Sequence, residues 1–185
     1  MKKPASQISA RGSVSRGIVL FILAPAAVLA AAEFLLRAAG FGSDPHYFRR
    51  DGDRMVMNPV FLCRFVPAHI AGDADFVSFP ATKAPGVRRI FVLGGSAARG
   101  TPDPAFSFSR MLEVMLSRAC PTGRFEIVNT GMSAMNSHVV RVVAEECSHY
   151  EPDAWIVLMG NNEVVGPFGP GTVFSPFTSH PWLIR

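Results

Sequence analysis

Three short, largely apolar runs in the second half of the chain constrain the fold more than any other feature of the sequence. They cover residues 90–93, 125–129 and 154–159, and a glycine follows each of them within two residues. Runs of this length, rich in β-branched and aromatic side chains, are typical of buried parallel strands. We therefore predict three strands, each ending at a glycine turn.

Two amphipathic segments separate these runs. Residues 107–119 place Phe108, Met111 and Met115 at helical spacing, and residues 137–150 carry four valines on one broad face. The alternation of strand and helix predicts a parallel sheet with crossover helices. The second half of the chain is therefore predicted to be an α/β domain of three layers, α/β/α.

Small and polar residues follow each predicted strand: they are Gly94-Gly95-Ser96, Asn129-Thr130-Gly131 and Gly160-Asn161-Asn162-Glu163. In parallel sheets of this kind, ligands bind at the carboxyl ends of the strands. Because the three loops lie at the same edge of the predicted sheet, we expect them to form one site.

Ser96 is the candidate nucleophile of this site. A nucleophilic serine has to project its hydroxyl from a tight turn with small neighbours, and Gly95 and Ala97 are small. The alternative is that Ser96 caps the following helix, which is common for a serine after a strand. On this loop alone the two interpretations are equally supported.

Gly131 and Asn162 are the candidate oxyanion donors. A glycine presents its N–H without a side chain in the way, and an asparagine offers an amide NH₂. Acyl transfer needs two or three such donors aimed at one point. Each residue alone is more simply explained as a turn or cap former, so their joint order carries the argument.

That order resembles the SGNH hydrolase superfamily, also called GDSL-like lipases and esterases, which places its serine, glycine and asparagine in three successive blocks. Residues 91–98, 128–133 and 160–163 are similar to those blocks. The likeness is greatest to bacterial membrane-anchored members that often carry tetratricopeptide repeats. Those members share further short segments, here Glu33 to Arg37, Asn58-Pro59, Arg64-Phe65 and Gly166-Pro167-Phe168-Gly169, so the resemblance extends from about residue 17 to the end.

The resemblance implies a flavodoxin-like SGNH hydrolase fold and an ester hydrolase. It implies that Ser96 attacks the ester and that the amides of Ser96 and Gly131, with the side chain of Asn162, hold the oxyanion. The chain departs from the family in two places. Gly95 stands where the family has an acidic residue, and the family's Asp-x-x-His block does not occur before Arg185. We therefore expect an incomplete, C-terminally truncated domain whose base lies further on.

None of the five histidines matches the family's base. His46 and His69 fall in a region rich in proline and glycine, and His138 begins a predicted helix. His149 lies three residues after Glu146, but at the end of a helix and therefore at the far end of the sheet. His180 has Phe177 in place of the acidic residue.

An apolar run near the amino terminus predicts a membrane-spanning helix. Residues 18–36 are apolar apart from Pro25 and Glu33, and about 20 such residues cross a bilayer. A cleaved signal peptide is the alternative, because residues 30–32 are three alanines, and a buried helix of a soluble domain is a weaker one. Basic residues before the run favour an inner-membrane anchor with the following domain outside the cytoplasm.

The predicted organisation has four parts. Residues 1–16 form a basic cytoplasmic leader and residues 17–37 a single-pass signal anchor in contact with membrane lipid. Residues 38–85 are predicted to connect the anchor to the domain, because proline and glycine recur every few residues and exclude long helices. Short apolar patches at residues 61–62 and 76–79 could either pack against a core or pair as edge strands. Residues 86–185 form the hydrolase-like domain.

Composition excludes several classes of function. The net charge of +4 is spread along the chain without aromatic interleaving, which argues against nucleic-acid binding. The three cysteines lie far apart, so neither a metal site nor a disulfide framework is expected, and no cofactor is predicted. Residues 94–100 are glycine-rich but match neither nucleotide-binding motif, so a nucleotide-binding module is disfavoured.

Two functions stay open. The first is an SGNH-type esterase that acts on a small acyl ester of a lipid or a sugar, provided that an Asp-x-x-His block exists downstream. The second is a non-catalytic, membrane-anchored module that binds a ligand or a partner. The sequence does not predict the oligomeric state.

Overall fold

A computed structural model describes residues 9–42, 44–71 and 77–174. The chain divides into two compact units, residues 1–43 and 44–185. The first eight residues of the predicted leader, and His180, lie outside the described residues. The structure has a parallel sheet with helices, as expected for an α/β protein.

The first unit consists of helix α1, Ser9–Ala38, which contains Pro25. Its segment Phe21–Ala38 has a mean hydropathy of 1.8, and the apolar side chains along it are exposed rather than buried in a core. By length and composition α1 can cross a membrane. Near its end, Arg37 Nε donates to Glu33 Oε1 at 2.6 Å, one helical turn away.

A small antiparallel sheet opens the second unit. Its strands are β1 (Phe48–Asp51), β2 (Arg54–Met57) and β3 (Ser78–Pro80), in the order β1-β2-β3. The described part of the segment predicted as a connector, from residue 44 onward, therefore falls in the same compact unit as residues 86–185. Among its described residues the helices are short, a 3₁₀ helix and α2 (Ala68–Ala71) of four residues each, as the proline and glycine spacing predicted.

For residues 61–62 the sequence left packing and strand pairing open, and the structure shows packing. Phe61–Arg64 is a 3₁₀ helix, in which the side chains of Phe61 and Leu62 are buried. An apolar pair can face a core equally well from a single helical turn, so two residues do not decide between the two conformations. The second patch is better placed, because β3 covers residues 78–80; Phe76 lies outside the described residues.

The larger sheet is parallel and has three strands in the described chain. They are β4 (Val87–Gly94), β5 (Arg124–Asn129) and β6 (Ala154–Leu158), in the order β5-β4-β6. Helix α3 (Ser96–Arg99) follows β4 directly, α4 (Phe108–Ala119) leads to β5, and α5 (Ser137–Cys147) leads to β6. The predicted strands and long helices are confirmed, with ends that differ by at most three residues.

The main core lies between the two sheets and α5. Phe48, Phe79 and Phe91 are buried there, and their rings meet edge to face or tilted at 4.9–6.5 Å. The valines predicted on one face of α5 pack against the same cluster. Strand β6 is different, because Trp155, Val157 and Leu158 are 40–54% exposed. The central strand β4 is thus better buried than β6.

Candidate functional site

The turn after β4 brings two strands very close together. Gly94 has φ +152°, and a Cβ on it would overlap the carbonyl oxygen of Leu158 on β6. The N–H of Gly95 donates to the same carbonyl at 3.4 Å. Only a residue without a side chain permits this approach. The glycine therefore joins the carboxyl ends of β4 and β6 at the point where Ser96 begins α3.

Ser96 is half-buried and is the first residue of α3, whose N-cap is Gly95. The alternative that Ser96 caps this helix is therefore wrong. In the described part of the chain, neither the hydroxyl nor the N–H of Ser96 has a hydrogen-bond partner. Polar groups in folded proteins are usually paired when they are removed from water. The donor and acceptor capacity of Ser96 is therefore available to a ligand.

Asn162 lies beside Ser96. The two residues line one depression together with Gly95, Met135 and Gly160. Asn162 Nδ2 donates one hydrogen to the carbonyl of Met135 at 3.1 Å, which leaves its second hydrogen for another acceptor. The depression has a volume of about 10 Å³, which is enough for about one water molecule, so a larger ligand would have to widen it.

Gly131 is placed differently from the prediction. Its N–H donates to Asn129 Oδ1 at 2.9 Å, and the residue lines a different cleft, together with Arg99 of α3. A Cβ on Gly131 would lie 2.8 Å from the carbonyl carbon of Ala98, so close packing against α3 already explains the glycine. The structure brings Ser96 and Asn162 together but directs the N–H of Gly131 elsewhere.

The loop that contains Gly131 reaches the depression through Met135 instead. Ala134, just before it, has φ +62°, a conformation that residues other than glycine rarely adopt. This positive φ turns the chain before Met135, whose carbonyl meets Asn162. The sequence offered no signal for this contact, because an alanine and a methionine in a loop indicate no particular function.

Asn129 connects the surrounding elements. Its Nδ2 donates to the carbonyl of Ala98 and to Ser109 Oγ, both at 2.8 Å, while its Oδ1 accepts from Gly131. The side chain thereby links β5, α3 and α4. Its position at the end of a strand was noted from the sequence, but its three partners depend on tertiary structure.

Glu163 ties the loop after β6 to the start of α5. Its carboxylate accepts from the N–H of Ser137 at 3.1 and 3.3 Å and from Ser137 Oγ at 2.6 Å. Nearby, Asn136 is fully buried and donates to the carbonyl of Pro167 at 2.7 Å. Two adjacent loops are therefore bonded to each other next to Asn162.

Another cleft is much larger than the depression that contains Ser96. It has a volume of about 590 Å³ and lies between α3, α4 and β5, with Arg99, Arg110, Asn129 and Gly131 among its lining residues. Arg99 Nη1 donates to Ser133 Oγ at 3.1 Å, and Arg110 pairs with Glu113 at 2.5 Å. Size alone favours this cleft, but the unpaired polar groups of Ser96 favour the small depression as the site of chemistry.

No histidine side chain that the structure describes lines the depression. His46 lies 3.7 Å from Glu146 near the amino end of the sheet, and His149 follows α5 at the same end. His138 is exposed in the first turn of α5, where its ring packs against Phe168 at 6.3 Å. It lines an apolar groove that shares Met159 with the Ser96 depression.

No protein-family model matches the sequence, and no curated protein matches it at a significant level.

Proposed function

We propose that the protein is an ester hydrolase of the SGNH type, with the flavodoxin-like three-layer fold of that family, and that Ser96 is its nucleophile. The substrate is an acyl ester of a lipid or a sugar. Helix α1 anchors the protein in the inner membrane, and the domain that carries Ser96 lies outside the cytoplasm.

One observation carries the proposal: Ser96, with an unpaired hydroxyl and N–H, shares a depression with the side-chain amide of Asn162. The depression lies at the carboxyl end of a parallel sheet, beside the central strand β4. Ligands bind at this edge in open α/β sheets. A nucleophile and a hydrogen-bond donor at one point are the minimum that acyl transfer needs.

In the proposed reaction, Ser96 Oγ attacks the ester carbonyl and gives up its proton to a base. The oxyanion is held by the N–H of Ser96 and by the free hydrogen of Asn162 Nδ2. The ester C–O bond then breaks, and the alcohol leaves with a proton from the base. Water hydrolyses the acyl-serine by the same route in reverse. The base comes from outside the described part of the chain.

Gly131 enters this scheme only if its N–H leaves Asn129. The proposal therefore rests on two donors instead of the three that the resemblance implies. Removal of one such donor typically costs about 10²–10³-fold in rate.

The second candidate function is a membrane-anchored module that binds an acyl ligand without hydrolysing it. The absence of a histidine from the described lining of the depression favours it. A serine hydroxyl without a base is a poor nucleophile at neutral pH.

The experiment that tests the first proposal is labelling with a fluorophosphonate probe, in which Ser96 Oγ displaces fluoride from phosphorus. It uses the full-length protein in mild detergent, because α1 carries a long run of exposed apolar side chains. The wild type should be labelled, and Ser96→Ala should not. Ser133→Ala is the matched control, because this exposed serine lies on the neighbouring loop and should leave labelling unchanged.

Equal labelling of the wild type and Ser96→Ala would refute the assignment of Ser96 as the nucleophile. A wild type that is not labelled would refute the hydrolase. In that case, a rise in the melting temperature with a non-hydrolysable ketone analogue of an octanoyl ester would support the binding module.

A further inference from the structure

We propose that Glu163 is a positioning residue, which acts through Ser137 to hold the Asn162 side chain where it faces Ser96. This inference rests on the proposed function, because it concerns the same site. Glu163 does not line the depression, and it is bonded to the start of α5.

The contact between Glu163 and Ser137 uses both carboxylate oxygens. Oε1 accepts the N–H of Ser137 at 3.1 Å, and Oε2 accepts its hydroxyl at 2.6 Å. The N–H belongs to the first turn of an 11-residue helix, where a negative charge also meets the positive end of the helix dipole. Both residues are half-buried, so water competes less for these hydrogen bonds than at an exposed site.

The partners of Glu163 and Asn162 belong to the same stretch of chain. Asn162 is hydrogen-bonded to Met135, and Glu163 is hydrogen-bonded to Ser137. Two consecutive side chains of the loop after β6 are therefore bonded to two nearby residues at the start of α5 and just before it. A single bond from Asn162 to Met135 would let the amide rotate about its side-chain torsions. The second attachment, one residue further on, fixes the backbone that carries the amide.

The packing around these bonds leaves the loop little freedom. Asn136 Nδ2 donates to the carbonyl of Pro167 at 2.7 Å. A Cβ on Gly166 would lie 2.8 Å from Asn136 Cβ, so the two loops are in direct contact there. Loss of the Glu163 contact should therefore shift the Asn162 amide locally and leave the loop attached. A misplacement of about 1 Å in a catalytic group can cost roughly 10²-fold in rate.

The test compares Glu163→Ala, Ser137→Ala and the double variant in the full-length protein in detergent. The fluorophosphonate labelling rate at Ser96 should fall by roughly 10- to 100-fold in each single variant, with little further loss in the double variant. Ser137→Thr keeps the hydroxyl and should restore most of the rate. Val164→Ala, an exposed neighbour on the same loop, is the control and should label like the wild type.

A second readout does not depend on catalysis. In protein labelled with ¹⁵N-asparagine, the side-chain NH₂ signals of Asn162, assigned with Asn162→Asp, should move in Glu163→Ala. They should stay in place in Val164→Ala. A residue that stabilises the fold without positioning the amide would lower the melting temperature and leave these signals unchanged.

The two proposals fail in different ways. If the wild type is not labelled, the hydrolase proposal fails, and the NMR signals alone decide the positioning role. Two results with a labelled wild type would overturn the positioning role and leave the hydrolase proposal intact. The first is that Glu163→Ala labels at the wild-type rate. The second is that the losses of labelling rate in the two single variants multiply in the double variant.

Discussion

The two ends of strand β4 carry polar groups that are used in opposite ways. At the amino end, the Arg89 side chain is 1% exposed, and its guanidinium is bonded on all sides. Its Nε donates to Glu126 at 2.5 Å, its Nη1 to the carbonyl of Tyr150 at 2.8 Å, and its Nη2 to the carbonyl of Pro80 at 2.8 Å. It also stacks over the Phe79 ring at 4.9 Å.

At the carboxyl end, some hydrogen-bond donors and acceptors have no partner among the described residues. Ser96 has no partner for its hydroxyl or its N–H among the described residues, and Asn162 uses one of its two amide hydrogens. Both ends belong to the same strand of eight residues, Val87–Gly94. The difference lies in the side chains and loops that surround each end.

This difference separates stability from function. Buried polar groups that are fully paired hold elements together, and Arg89 joins the small sheet, β5 and the end of α5. Polar groups without partners add nothing to folding but are ready to bind a ligand. Among the described residues, the groups with a shifted pKa also lie near the amino end of β4. Burial raises the pKa of Cys147 and of Tyr150, and the nearby Glu146 carboxylate adds to both shifts.

The largest predicted effect tests the amino end. Arg89→Met should lower the free energy of unfolding by about 3–5 kcal/mol, because the Glu126 carboxylate loses its partner and two carbonyls lose a donor. The value should fall toward the lower limit, since Glu126 is 20% exposed and partly hydrated. Urea titration of the full-length protein in detergent, followed by tryptophan fluorescence, measures it.

Two variants sharpen this prediction. Arg88→Ala, an exposed arginine on the same strand, should change the free energy of unfolding by no more than about 0.5 kcal/mol. The double variant Arg89→Met/Glu126→Leu should recover part of the loss, because it leaves no unpaired carboxylate. If Arg89→Met were as stable as the wild type, the amino end would not be the stabilising half of the strand.

The same comparison shows what the sequence could predict. The alternation of strands and helices follows from apolar periodicity, which the chain displays clearly. The start of β4 was missed by three residues, because Arg88 and Arg89 interrupt the apolar run. A buried arginine is permitted only by partners distant in the chain, such as Glu126, and local patterns do not contain that information.

The candidate site was predictable to a similar extent. The proximity of Ser96 and Asn162 follows from their positions after neighbouring parallel strands. The direction of the Gly131 N–H does not, because an asparagine two residues earlier can bond to the backbone and take that donor. The attachment of Tyr47 and Phe48 to α5 was not predictable either, since it depends on the distant Glu146 carboxylate, which accepts from both N–H groups.

The next prediction compares two glycines near the carboxyl end. Gly131→Ala should lower the free energy of unfolding by about 1–3 kcal/mol, because its Cβ would press on the backbone of α3, which cannot move freely. Gly95→Ala should cost less, since its Cβ would meet only the end of the Asn162 side chain, at 2.9 Å. Urea titration in detergent compares the two variants.

The fluorophosphonate labelling rate should rank the two variants in the opposite order. Gly95→Ala should slow labelling more than Gly131→Ala does, although it destabilises the protein less. Gly95→Ala displaces the Asn162 amide directly and should slow labelling even where the protein remains stable. If Gly131→Ala were fully stable, the loop would not be packed tightly against α3, and its glycine would need the catalytic explanation that the resemblance implies.

The smallest effect concerns pH at the amino end. Two hydrogen bonds lower the pKa of Asp153 below its usual 3.8. The larger effect comes from Lys83, which donates to Asp153 Oδ2 at 2.9 Å, and the smaller from the N–H of Arg89. Because the folded pKa is lower than the unfolded one, this contribution to stability is complete above about pH 4 and is lost as the pH falls through the folded value. Below about pH 4, the wild type should therefore lose stability more steeply with falling pH than Asp153→Asn does. Lys83→Met removes the larger cause and should flatten the same part of the profile, whereas an unchanged slope in both variants would assign the acid sensitivity to other carboxylates.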